Sequence, residues 1–311
     1  MVIVLLSKKK RRRLPSHTLL IALALVDIVF LLSVLSLWLN QVIGWTFPAE
    51  NVIGCKLMTF LSHMTDCCGV WLIVLISTER SIVLFAPFHR RRFCTIPMAR
   101  KCSVLCLLFA SLVCLWLLIF ATPWPGQGCA IDVNNTILVR AYEYLSIADT
   151  FISCFIPTAI ILVLNFAIII RLRQYYHRSV SVGLSVAFEL ANAPNSHFVP
   201  VENKQIRRSE QQLTISLMIV TSIYIVMNFP TYLMRLISSF GIDETRDPRN
   251  WWVILAYVLY NAHHAINFYL YTFFGPGMRQ NFWKVFKRLI LGCLTCECLD
   301  YFLCGVQFET Y

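Results

Sequence analysis

Six apolar runs recur along the chain, at about residues 19–38, 57–80, 102–124, 145–170, 213–237 and 252–274. Each reaches the roughly 20 residues that a helix needs to cross a hydrocarbon core of about 30 Å. One such run can be the buried helix of a large soluble protein; six cannot. The composition agrees, with 58% of residues hydrophobic and 14% charged, against about 45–50% and 25% for an ordinary soluble domain. The fold class this predicts is all-α and membrane-spanning.

A net charge of +11 would suggest nucleic acid in a soluble protein, but the placement of the charge argues otherwise. All but five of the 27 Lys and Arg residues lie before the first run or at the inner end of every second connection. They include Lys8–Arg13, Arg90–Arg92, Arg171, Arg173, Arg207, Arg208, Lys284 and Lys287. The intervening loops and their borders hold only Lys56, Arg140, Arg235, Arg246 and Arg249. The positive-inside rule then puts Lys8–Arg13 and the carboxyl tail in the cytosol. No nucleic acid is needed to explain the charge.

The chain opens with six apolar residues, Met1–Leu6, ahead of that basic run. As a helix they reach only about 9 Å, and a signal peptide would place its basic segment first. Residues 1–7 are therefore expected to be the inner stub of a first helix. The organisation this predicts is a bundle over 1–292, with six full spans and the stub, followed by a cytoplasmic Cys-rich tail over 293–311.

Of the thirteen cysteines, Cys67, Cys68, Cys102, Cys106, Cys114 and Cys154 lie inside spans and read as small apolar packing residues. Cys293, Cys296 and Cys298 follow a stretch, 276–290, that mixes Phe282, Trp283 and Phe286 with Lys284, Lys287 and Arg288. That mixture suits an interfacial helix. Juxtamembrane cysteines beside it are palmitoylation candidates, with unmodified thiols as the alternative. Asn134 opens an N-x-T sequon on the outer side, a glycosylation candidate or a chance match. The connection 173–212 has no regular apolar period and is expected to be a mobile cytosolic loop. No HExxH site occurs, and no enzyme, cofactor or metal centre is expected. A six-span transporter or channel would show internal repeats and spans broken by glycine at midplane; no repeat stands out.

Several motifs sit at mutually consistent spacing. Asp27 places a carboxylate inside a span, where an ionisable group is a functional hypothesis by default. Glu79-Arg80-Ser81 closes the run that begins near Cys55, and Pro87 follows seven residues later. Trp116 precedes Pro123 and Pro125, while Pro157 and Pro230 lie within later spans, where proline kinks a helix and supplies a hinge. Asn267-Phe268-Tyr269-Leu270-Tyr271 closes the last span, and Gly275–Trp283 follows. Over nearly its whole length the chain resembles the rhodopsin-like, class A G-protein-coupled receptors.

That resemblance implies a seven-helix bundle with a short eighth helix, at the plasma membrane in several passes, in contact with membrane lipid. It implies an extracellular ligand and a heterotrimeric G protein as partners, and a disulfide from Cys55 to Cys129 that pins the second outer loop. Glu79, Arg80, Pro87, Glu210, Asn267 and Tyr271 would form the coupling switch, with Glu210 as an acidic latch for Arg80 or a solvated charge. In the family the Asp27 position and the Asn of the NPxxY motif, here Asn267, line a polar pocket that often holds sodium. His263 is expected to add a polar group there, and Asp27 is read either as an ion ligand or as a hydrogen-bonded structural carboxylate. The chain departs from the family pattern at Phe268 for Pro, Asn228 for Trp, Asn165 for Tyr, and Gly69 for the polar residue that completes the sodium pocket.

Absences narrow the ligand class. The amine-binding Asp of the family falls on Ser62, and the retinal lysine of opsins falls on Asn261. Ser62, His63, Asp66, Asp149, Tyr232, Arg235, Tyr257 and Asn261 are implied to face the central cavity. Asp66 or Asp149 could meet a cationic ligand group, unless Arg235 or His63 pairs with it internally. The ligand this favours is a short neuropeptide, of the type that ends in an amidated Arg-Phe. The rival reading is a truncated, non-signalling receptor.

Overall fold

The computed structural model describes residues 15–43, 51–86, 88–124, 128–131, 136–192, 201–239 and 250–274. Helix α1 runs Pro15–Ile43 and α2 runs Val52–Phe85. A single turn, α3 (Arg90–Phe93), leads into α4 (Ile96–Cys114) and a second short turn, α5 (Leu117–Phe120). Strands β1 (Ala121–Trp124) and β2 (Gly128–Ile131) pair antiparallel with Pro123 opposite Cys129. Then come α6 (Thr136–Thr150), a π-helical turn at Phe151–Phe155, α7 (Ile156–Asn192), α8 (Val201–Ser239) and α9 (Trp251–Phe274).

The helix starts follow from local chemistry. Pro15 opens α1, a position where its missing N–H is no loss. Asn51 caps α2, its Oδ1 accepting from the Ile53 N–H at 3.1 Å. Thr95 caps α4 through Oγ1, which accepts from the Met98 N–H at 3.4 Å. Each cap satisfies one of the donors that a helix leaves open at its amino end.

α2 is the axis of the molecule. Its buried residues extend from Cys55 to Arg80, and it packs against α1, α4, α7 and the hairpin. α8 and α9 pack on one another, and α9 also touches α1. The core is carried by Leu23, Leu72, Ile73, Ile76, Ile161, Val220 and Tyr224. The outward faces are apolar too: Val104, Leu105, Leu108 and Leu112 on α4, and Val163 and Phe166 on α7, are exposed. Water is a poor solvent for such a surface, and lipid is the suitable one.

Five described stretches are long and apolar enough to cross a membrane: Pro15–Leu39, Val52–Phe85, Ile96–Cys114, Arg140–Gln174 and Leu217–Ile237. α9, with 24 residues, is about 36 Å long at 1.5 Å per residue.

The structure departs from the sequence reading in three places. The run 102–124 is not one helix: α4 stops at Cys114, and 121–124 form a strand. Pro123 cannot continue a helix, and its neighbours find their partners across the hairpin. The run 145–170 begins earlier, at Thr136, and is interrupted by the π-turn. The supposed loop 173–212 is helical to Asn192 and again from Val201. No proline stands between Pro157 and Pro194, so nothing stops the backbone ladder. A helix that leaves the membrane also needs no apolar stripe.

Several expectations lie outside the described residues: the stub 1–7, Pro87, Asn134, the interfacial helix 276–290, and Cys293, Cys296 and Cys298. The same holds for the side chains of Glu210 and Tyr271.

Candidate functional site

At the outer end of α2, Cys55 is bonded to Cys129 of β2, with Cα atoms 5.5 Å apart. Cys55 is fully buried. The bridge holds the hairpin against the top of the central helix, as the resemblance implied.

At the other end of α2 lie Glu79 and Arg80, both buried. Arg80 Nη2 stands 3.6 Å from Glu79 Oε1. Where charges are withdrawn from water, such a pair counts for more than one on a wetted surface.

Between these ends, the polar groups of four helices converge. Asp27 of α1 receives two bonds from α9: His264 Nδ1 at 2.6 Å to Oδ1, and Asn267 Nδ2 at 3.1 Å to Oδ2. The other ring nitrogen of His264, Nε2, stands 3.7 Å from Asp66 Oδ1 on α2. Phe30 stacks on the His264 ring with centroids 3.8 Å apart, and the His263 ring lies 3.8 Å away. His264 and Asn267 are three residues apart and so share a helix face. His263, turned by about 100°, instead meets the Tyr260 carbonyl at 2.6 Å and the edge of Tyr224 at 5.3 Å. The sequence reading chose the wrong histidine of the pair. Spacing to Asn267 could not separate the two, because i, i+4 shares a helix face as i, i+3 does; the packing of α1 and α2 against α9 decides.

α8 supplies the next layer. The Tyr224 and Tyr232 hydroxyls hydrogen-bond to one another, two turns apart on the same face. Asn228, fully buried, donates from Nδ2 to the Tyr224 carbonyl at 2.8 Å. It thus bonds within its own helix, just before Pro230, where the family usually places a tryptophan. Asn165 of α7 donates to Thr221 Oγ1 of α8 at 2.7 Å, so this departure from Tyr becomes a link between neighbouring helices. Thr231 Oγ1 donates to the Ala256 carbonyl of α9 at 2.9 Å.

The implied ligand residues divide by their surroundings. Asp66, Asp149, Ser62 and Tyr232 are buried, while His63, Arg235 and Asn261 are half-buried. Ser62 Oγ donates to the Thr59 carbonyl at 2.9 Å, and Asn261 Nδ2 to the Tyr257 carbonyl at 2.8 Å. Asp149 accepts from Ser153 Oγ at 3.1 Å across the π-turn. The Arg235 guanidinium lies over the Tyr260 ring, 5.7 Å from its centroid; sequence reasoning had passed over Tyr260. Tyr257 is 53% exposed and stands apart from the buried cluster. His264 is the nearest basic group to Asp66, at 3.7 Å; Arg235 and His63, which sequence reasoning had considered, also lie within electrostatic reach of it.

Among the described residues no cluster of three or more His, Cys, Asp or Glu side chains could hold a metal ion. The arrangement is that of a polar core sealed inside an apolar bundle, with charge at its inner end and a cross-linked cap at its outer end.

The family profile described as 7 transmembrane receptor (rhodopsin family) matches residues 1–271. The chain is similar to somatostatin receptor type 1 of Rattus norvegicus, at 20% identity over all of this chain and 73% of that protein. It is similar to the thyrotropin-releasing hormone receptor of Homo sapiens, at 21% identity over 96% of this chain and 74% of that one. C-C chemokine receptor type 7 of Homo sapiens is 24% identical over 93% and 70% of the respective chains.

Proposed function

Because this chain belongs to the rhodopsin family of seven-transmembrane receptors, we propose that its ligand is an extracellular peptide with a cationic group, read by Asp149. A multi-pass membrane receptor of this family is not an enzyme; it passes a ligand signal to a G protein. The observation that carries the ligand reading is the buried Asp149 carboxylate, which accepts from Ser153 Oγ at the α6–α7 junction and lies within electrostatic reach of Arg235. A buried carboxylate is costly unless it is compensated, and a ligand ammonium or guanidinium would add to what Ser153 and Arg235 supply. The names of the relatives point the same way, toward somatostatin, thyrotropin-releasing hormone and chemokines. A short peptide ending in an amidated Arg-Phe is the specific form we favour.

Asp66 is the weaker candidate for ligand contact, because His264 already faces it. Tyr232 and Arg235 stand on α8, Arg235 within electrostatic reach of Asp149, and their role in this reading is to border the ligand. At the cytosolic end, Glu79 holds Arg80 in the resting state, and its release presents Arg80 to the G protein, a two-state element biased by ligand.

The test is Asp149→Asn against a panel of amidated peptides, with and without a basic residue. Losing a buried charge-assisted contact should raise the half-maximal concentration of the basic peptide about tenfold to a hundredfold. Charge-free analogues should shift little. Equal potency of every peptide on both proteins would defeat the assignment.

A further inference from the structure

The family resemblance places a sodium ion beside Asp27, and the residues present do not fit one. Both carboxylate oxygens of Asp27 are engaged, Oδ1 by His264 and Oδ2 by Asn267. A hard cation gathers oxygen ligands, but Gly69 offers no side chain on the facing turn of α2. The neighbouring Thr65 hydroxyl bonds within its own helix, to the Leu61 carbonyl at 2.6 Å and the Ser62 carbonyl at 3.1 Å. Asp66 Oδ1 faces the imidazole rather than an open space. The ring itself is wedged: its side chain is 2% exposed, with Phe30 and His263 each 3.8 Å from its centroid. Tyr260 closes a further side, edge-on at 6.0 Å.

From this geometry we propose that His264 is a built-in substitute for the ion. Its ring stands between Asp27 of α1, to which it is hydrogen-bonded, and Asp66 of α2, 3.7 Å from its other nitrogen. A diffusible cation would have to displace that ring from a stacked, buried position. The receptor is therefore indifferent to sodium, in stability and in basal activity alike. This inference does not depend on the identity of the peptide, so it can fail while the ligand assignment stands, and the reverse.

The experiment compares the purified full-length receptor in sodium chloride and in choline chloride, each at about 0.15 M ionic strength. The readouts are the thermal unfolding midpoint and the basal rate of nucleotide exchange on a reconstituted G protein. For the native chain the two salts should give midpoints within about 1 °C and equal basal rates. A sodium-dependent rise of about 2–5 °C, the size expected for an ion present at about ten times its dissociation constant, would overturn the proposal.

The double variant His264→Ser/Gly69→Ser tests the cause. A Cβ at position 69 meets Leu23 Cδ1 and Val26 Cγ1 at 3.7 Å each, an ordinary contact, so the serine is accommodated. This variant should acquire the sodium-dependent rise that the native chain lacks. A folded double variant that stays indifferent to sodium would show that the imidazole is not what excludes the ion. The native measurement stands by itself, so the proposal can be refuted even where the variant does not fold.

Discussion

Glu79 and Arg80 carry opposite charges on adjacent residues of α2 and are both withdrawn from solvent. In the proposed switch their bond is the resting-state element, and its two halves predict opposite phenotypes. Arg80→Ala removes the group offered to the G protein, so ligand-stimulated nucleotide exchange should fall by about tenfold or more, a barrier change of about 1.4 kcal/mol. Surface expression and peptide binding should persist, and unchanged exchange would remove Arg80 from the switch. Glu79→Gln keeps the shape and deletes the charge. It should raise ligand-independent exchange by about twofold to tenfold, as expected for losing one partly desolvated ion pair. Of the residue-scale picture, residue type alone marked Asp27 inside a span, and the family resemblance set Asn267 beside it, where the two hydrogen-bond. His264 was not chosen over His263, because adjacent residues on a helix differ only by a phase that the neighbouring helices settle.

The π-turn at Phe151–Phe155 is the element that sets the orientation of Asp149. Pro157 lacks an N–H, so an α-helical turn here would leave a carbonyl unpaired. The Ile156 N–H reaches back to the Phe151 carbonyl instead, the wider spacing of a π-bulge. One residue of slack rotates everything before it by about 100°, and Asp149 lies just ahead of the turn. Pro157→Ala restores the donor and replaces a poor helix former with the best one. The receptor should still express, but basic peptides should lose about tenfold in potency as Asp149 turns away. A radioligand competition curve measures this, and an unshifted curve would mean that the π-turn does not set the position of Asp149. The sequence signalled a hinge at Pro157 but not its form. Which hydrogen bond absorbs a missing donor depends on the packing around it.

For the whole molecule, the cross-link from Cys55 to Cys129 closes a segment of 74 residues that contains α2, α4 and the hairpin. Loop-closure entropy for that length is worth on the order of 4 kcal/mol, and losses of about 2–5 kcal/mol are typical when such a bridge is removed. Cys129→Ser should lower the thermal midpoint by several degrees and reduce the amount of receptor at the cell surface. The same midpoint shift should follow treatment of the native protein with a membrane-impermeant reductant. A midpoint indifferent to both would mean that the hairpin is held by packing alone.

By itself the sequence determined the solvent and the plan. Six runs of about 20 apolar residues in one chain call for lipid, and the alternation of basic loops orients them. Both are properties of local composition, which no fold can alter. The tertiary structure decided the rest: that α4 ends at Cys114 in favour of a hairpin, that α7 and α8 run on beyond their apolar stretches, and that His264 rather than His263 meets Asp27 and faces Asp66. Those outcomes turn on the rotation and tilt of each helix. Contacts between helices set these angles, and a one-dimensional pattern does not contain them.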